Sequence, residues 1–524
     1  GTYAPFEGFC LFLCFSRFEK TGVDMPSSFG STLWRRKRGG PRRRVRAAIR
    51  RGPQMEALEP RLLLATYTWE RKNDGSQQTG WTTTNTGDWV RSDFSYPNSN
   101  QWTAPAHVSE SIWTAPGPSS GKPSTGSLVI DQPGNWNRAD YPNAADADVV
   151  IGKGADVRLS GYVNFPYAGS PRLSGSVAIR NLDNSGSLET YQAPGAGEGI
   201  INVHGGAFKN DGTITLTGGA GSGGSLGFHA AGVTPLTGAG KIVMQDGEIF
   251  RPAAGQGTIS QAATHSITGK GLVNVPISAN AGTVSSDSGG TIALDLKGVT
   301  LANTGLLQAA TTQAAVGSTL SIGGGTIANT GGTIRAQGDS SRVSLANVTL
   351  VGGTLATSGT GVIQVGASTT FLATTSSLTN TGAISVGGSG GGSLTWKGDV
   401  DNRKTISVQD PLYPYDSVLV VDAGAALRGG GSIRLANGNL RIAGTGTVSN
   451  VDNSITGFGG LGGGPATTLS LGSAASLAAD GGSLSVEMPV VGAGALRAIN
   501  AGSLSLRGNV TGSGTITAGD KSVV

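Results

Sequence analysis

One short pattern, Asn-x-Gly-x-(Ile/Leu/Val), recurs through the chain at intervals that restrict what it can fold into. It starts at Asn184 (with Gly186), Asn210 (Gly212), Asn280 (Gly282), Asn303 (Gly305), Asn380 (Gly382) and Asn500 (Gly502). A copy at Asn329 (Gly331) carries one extra residue before its Ile. Successive starts lie 26, 70, 23, 26, 51 and 120 residues apart, near 1, 3, 1, 1, 2 and 5 multiples of 23 to 26. A fixed period in this range is the signature of a solenoid.

Gly-x-Gly-x-(Ile/Val) interleaves with it, from Gly238, Gly255, Gly269, Gly359, Gly444 and Gly512. Glycine takes positive φ at no steric cost and Asn is the next most tolerant residue, so both patterns read as bends. Alternation such as Thr213-Ile214-Thr215-Leu216-Thr217 follows the bends and predicts half-buried strands. One coil of two or three such strands has about the observed period. Stacked coils pair strand with strand in parallel at roughly 4.8 Å per coil. Asn at equivalent turns then stacks into an amide ladder, as identical side chains do in cross-β stacks. The expected fold is all-β: a right-handed parallel β-helix over residues 146–524. A Trp-rich cap over 66–145 and a disordered or partly helical basic leader over 1–65 precede it.

Composition supports this division. Glycine makes up 87 of 524 residues without a Gly-x-y period, which excludes collagen. Residues 1–70 hold 13 Lys/Arg against 6 Asp/Glu; the remainder holds 25 against 27. The overall charge of +5 therefore belongs to the leader, and the body offers no electrostatic footprint for nucleic acid. Both cysteines, Cys10 and Cys14, lie in the leader, so the body has no disulfide or thiolate metal site. No apolar run reaches the length of a membrane-spanning helix.

Ten basic residues crowd into positions 35–51, and Leu58-Glu59-Pro60-Arg61-Leu62-Leu63-Leu64-Ala65 follows them. This segment resembles the LEPR-XLL motif of large exported repeat proteins of planctomycete-type bacteria. The residues that carry it are Leu58, Glu59, Pro60, Arg61, Leu63, Leu64 and Ala65. The family pattern places a Ser before the Ala, and here Ala65 follows Leu64 directly. The resemblance spans residues 35–66. It implies export to the cell surface or medium, with adhesin-like β-helical repeats beyond, and it implies nothing about chemistry. Residues 1–24 read as upstream sequence or as part of a fragment, with Met25 as a start. The repeat sequence continues to Val524, so a longer protein is expected.

Six of the eight tryptophans, Trp69, Trp81, Trp89, Trp102, Trp113 and Trp136, fall in 66–145. They read as a cap over the first coil, since a terminal repeat must hide an open apolar end; a sugar-stacking platform is the alternative. Loops are expected at Tyr191–Gly199, Gly218–Gly224, Asp410–Tyr415 and Gly457–Pro465.

No catalytic, cofactor-binding or metal-ligating set is expected. Glycoside hydrolysis needs two carboxylates about 5–10 Å apart. Asp146, Asp148 and Asp156 sit at the entry strand, and Asp183 and Asp211 have Arg180 and Lys209 as local basic partners. His107, His204, His229 and His265 share no metal-ligand spacing and read as lone surface or coil residues. These features favour a non-enzymatic structural or adhesin-like solenoid, which the resemblance implies is exported. Its expected partners are cell-envelope components, glycans or further copies of itself. A carbohydrate-binding or carbohydrate-active β-helix is the alternative reading.

Overall fold

The computed structural model describes residues 147–151, 153, 156–160, 175–191, 199–219, 222–252, 257–287, 289–311, 316–387, 391–409, 417–464 and 466–524. It also describes the backbone of five earlier strands, Thr66–Trp69, Thr82–Thr83, Val108–Ser111, Gly126–Ile130 and Gly134–Trp136. The chain divides into two compact units, residues 1–61 and 62–524, and every described residue lies in the second. The leader, its export motif, residues 192–198 of the loop expected at Tyr191–Gly199 and the loop expected at Asp410–Tyr415 fall outside the described residues.

The described residues form strands and turns without helix, and the strands stack as a parallel β-solenoid. Each coil contributes three strands, which build three faces. Thr300–Asn303 belongs to the first face, Leu306–Ala310 to the second and Thr291–Asp295 to the third. Each pairs in parallel with its equivalent one coil later: Leu301 with Ile327, Leu307 with Ile334 and Leu294 with Ile322. Alternate residues point inward, so Leu301, Leu307, Ile322, Ile327 and Ile334 are fully buried in one continuous core. The alternation that predicted the strands is the physical cause of that core.

Several strands run round a corner without stopping. Thr319–Ala328, Arg342–Val351, Ser432–Ala443 and Ser476–Val486 each span two faces. A single left-handed residue makes the bend: Gly324 (φ 72°), Asn347 (φ 55°), Asn437 (φ 63°) and Gly481 (φ 68°). Asn is among the few side chains that tolerate this region, which explains its use in place of Gly. In the second sequence pattern, Gly238, Gly269, Gly359, Gly444 and Gly512 all have positive φ, as expected. The break expected at Gly457–Pro465 is instead one of these bent strands, Ser454–Gly463, with Gly457 and Gly459 at its corner. Glycine density there marks a turn of the sheet rather than its interruption. At Gly218–Gly224 a small antiparallel pairing of Gly218 with Gly223 leaves the coil.

The segment ahead of the repeats joins the same sheet. Gly126–Ile130 pairs in parallel with Ala147–Ile151, and Gly134–Trp136 with Asp156–Ser160. Further back the pairing reverses: Val108–Ser111 lies antiparallel to Gly126–Ile130 and to Thr66–Trp69. The parallel stack is thus continued into an antiparallel meander, which occupies its first edge. Unpaired strand edges invite association, and this pairing removes one.

Candidate functional site: amide ladders at two corners

The residues singled out in the sequence converge on the corners. Asn184, Asn210, Asn280, Asn303 and Asn329 sit where the first face turns into the second, and all are fully buried. Their side-chain amides bond coil to coil. Asn184 Nδ2 donates to Asn210 Oδ1 at 2.8 Å, Asn280 to Asn303 at 2.7 Å and Asn303 to Asn329 at 2.6 Å. A buried amide left without partners costs about 1–3 kcal/mol, and stacking in register satisfies each one with its neighbour. The same amides close the corner backbone: Gly186 N donates to Asn184 Oδ1, and Asn329 Nδ2 to the Gly352 carbonyl.

Asn380 belongs to a second ladder at a different corner. Its strand, Leu378–Thr381, pairs with Gly353–Ser358 on the second face, so Asn380 lies where the second face turns into the third. It donates to Asn402 Oδ1 at 2.8 Å, and Asn402 donates to Asn453 Oδ1 at 2.8 Å across the coil that carries Gly429–Gly431. Asn500 lies at the third corner, after Ala495–Ile499, exposed and left-handed (φ 51°), with its amide on Asp480. The expectation that all copies share equivalent turns is therefore corrected. The pattern marks a strand leaving a corner, and each of the three corners can use it.

The glycines of the pattern serve a different purpose from the expected one. Gly212, Gly282, Gly305, Gly382 and Gly502 are absent from the positive-φ residues. A Cβ on Gly212 would strike the Gly186 carbonyl, one on Gly282 the His265 carbonyl and one on Gly305 the Gly282 carbonyl. On Gly502 it would lie 2.6 Å from the Ala479 carbonyl, and on Gly382 2.7 Å from the Ala356 carbonyl carbon. Close approach of adjacent coils, not backbone handedness, selects glycine here. Gly331 is the exception: it is left-handed (φ 82°) and faces open space. It is the inserted residue, and Gly332 takes the packed position against Asn303 and Asn329.

Asn402, Asn450, Asn453, Gln261 and His265 join the corners without matching the pattern. Asn402 lacks the glycine two residues on but keeps an Ile four residues on, Ile406, as Asn303 keeps Leu307. Dropping the glycine requirement finds it. Nothing in the sequence singles out His265, which the sequence places on the surface or in a coil. It is 1% exposed, and its Nε2 meets Asn210 Nδ2 at 3.3 Å, bridging the coil of Gly238–Gly240, which has no ladder residue. Burial lowers its pKa to about 4, so the ring is neutral at pH 7. His204 and His229 are not isolated either. They stack on adjacent coils with ring centroids 4.1 Å apart, and His229 Nε2 lies 2.8 Å from Asn202 Oδ1. Burial, then the charge of His204, lowers the pKa of His229.

Two of the carboxylates weighed for catalysis, Asp183 and Asp211, are engaged as ion pairs with Lys209. Lys209 Nζ lies 3.3 Å from Asp183 and 3.0 Å from Asp211. The hydrogen bond from Lys209, then that from the Ala239 amide, holds the Asp211 carboxyl below the usual range. Such a group stays ionised and is poorly suited to donate a proton. Among the described residues, no three or more of His, Cys, Asp and Glu are grouped to hold a metal ion. No helix among them is long and apolar enough to cross a membrane. Compared with protein-family models, curated proteins and solved structures, the chain matches none.

Proposed function

We propose that the chain is an exported, non-enzymatic surface protein in which the solenoid is the working part, as a structural or adhesin-like element. The observation that carries this reading is an uncharged hydroxyl column on the first face. Thr300, Thr326, Thr349, Thr370 and Thr395 occupy one register position on five consecutive coils, and each is exposed or half-buried. Repeating surfaces of this kind suit lateral contact with envelope polymers, glycans or a second copy. The resemblance of residues 58–65 to the LEPR-XLL motif supports export.

Fractionation of the native host with an antibody against the repeats tests the address, with mass spectrometry of the mature N-terminus. The expected result is surface or medium location with cleavage near Ala65. A cytoplasmic protein retaining Arg35–Arg51 would overturn it. Incubation with polysaccharides tests the absence of enzymatic activity, and steady release of saccharide would defeat that part.

A further inference from the structure

The chain has a single Asn-Gly pair, Asn437-Gly438. The fold exposes Asn437 at the bend of Ser432–Ala443, between the third face and the first, in the left-handed region (φ 63°). The next coil pairs Ala436 with Phe458 and Gly438 with Gly459, so Asn437 is the extra residue of a bulge. The ladder asparagines differ: they are buried, and neighbouring coils hold their amides.

We propose that Asn437 is a self-modifying site, at which the side-chain amide is lost to attack by the backbone. The Gly438 nitrogen attacks Asn437 Cγ, a C–N bond forms, and the side-chain nitrogen leaves as ammonia. The proton given up by the Gly438 N–H balances the one that ammonia takes. The product is a five-membered cyclic imide. Hydrolysis by bulk solvent opens it at either carbonyl, to aspartate or to isoaspartate. Nothing is oxidised or reduced, and no cofactor is needed. Glycine alone has no Cβ to crowd the attacking nitrogen.

Two other corners show what the site requires. Leu345-Ala346-Asn347-Val348 repeats Leu435-Ala436-Asn437 at the same corner, with Asn347 exposed and left-handed (φ 55°). There the attacking nitrogen belongs to Val348, which is β-branched and 1% exposed, and crowding opposes the ring. Between the second face and the third, Asp246-Gly247 forms a bulge of the same construction (φ 63°), with Gln245 paired to Lys270 and Gly247 to Gly271. Asp246 is exposed and forms an ion pair with Lys270 at 2.7 Å, so a corner of this kind accepts a carboxylate. Phe458 holds the position equivalent to Lys270 beside Asn437, so a new carboxylate there gains no such lysine. Isoaspartate adds one methylene to the main chain where the next coil has no residue opposite.

Incubating the full chain in mildly alkaline buffer and mapping its peptides by mass spectrometry tests this. The expected result is loss of the Asn437 amide, with separate isoaspartate and aspartate forms, while Asn347 keeps its amide. Isoelectric focusing should show one acidic step over time. Asn437→Gln should abolish that step, and Asn437→Asp should start at the acidic position with an unchanged melting temperature. Retention of the Asn437 amide in the folded chain would overturn the proposal, whatever the urea-unfolded chain does. Equal loss at Asn347 would overturn the part assigned to Gly438.

Discussion

Asn303 donates its side-chain N–H to Asn329 Oδ1 while accepting from Asn280 on the other side. One side chain thus couples three consecutive coils in the core. Solenoid stability is nearly a sum of coil terms and neighbour terms, so a residue that serves two neighbours is a sensitive place to cut. Asn303→Ala leaves Asn280 Nδ2 and Asn329 Oδ1 unpaired, and a loss of about 2–4 kcal/mol is expected. Urea melts and amide exchange around 280–334 measure it. An unchanged midpoint with unchanged local protection would sink the ladder as a stabilising element.

Close-packed and unpacked glycines separate by substitution. Gly305→Ala drives a methyl group onto the Gly282 carbonyl and is expected to cost more than about 2 kcal/mol. Gly232→Ala, with open space around its Cβ and no left-handed φ, is expected to be neutral or to stabilise by about 0.4–1 kcal/mol. Parallel thermal melts decide, and equal shifts in both variants would contradict the packing argument.

Acid sensitivity is expected to centre on His265. Its folded pKa is about 4, against about 6.5 in an unfolded chain. Between these values the unfolded chain binds the proton and the folded chain does not. Stability is therefore complete above pH 6.5 and declines as the pH falls to 4, by up to about 3 kcal/mol. His265→Asn keeps amide hydrogen bonding and removes the titration. Between pH 7 and 4 the melting temperature of the variant should fall less than that of wild type. Asp211 contributes equally to both proteins and cancels, so matching slopes would refute the assignment.

Trp396 is fully buried and meets Phe371 edge-on, with ring centroids 5.4 Å apart, and its Nε1 has no hydrogen-bond partner. Trp396→Ala should cost about 3–5 kcal/mol through the cavity it leaves. Trp396→Phe should cost less than about 1.5 kcal/mol, because the smaller ring also removes an unsatisfied N–H. Denaturant midpoints of the two variants should differ clearly; similar losses would mean that the indole N–H finds a partner in solution.

Much of the architecture was legible in the sequence because strand alternation and coil period are local, repeated signals. The interval from Asn303 to Asn329 is one coil, and the amide bond between the two follows from stacking. Corner identity was not legible. Asn303 and Asn380 sit in nearly identical local sequence, Leu-x-Asn-Thr-Gly, yet turn at different corners, because the coils between Asn329 and Asn380 shift the frame. His265 was hidden for a related reason: its partner Asn210 lies two coils away, and no local pattern records an empty position on the coil between them. Gly212 and Gly305 suggest backbone freedom in sequence, because sequence shows the residue but not the carbonyl packed against it.

Every Asn-to-Asn bond in both ladders donates toward the C-terminal end. Their dipoles therefore add head to tail along the stack, as peptide units do along a helix. The first string is sealed at both ends by backbone, at Gly186 N–H and at the Gly352 carbonyl. Gly353, whose Cβ would collide with Asn329, leaves no room for another member beyond. Graft or duplication of coils must therefore keep one orientation and carry both seals. An inverted module would meet its neighbour donor against donor.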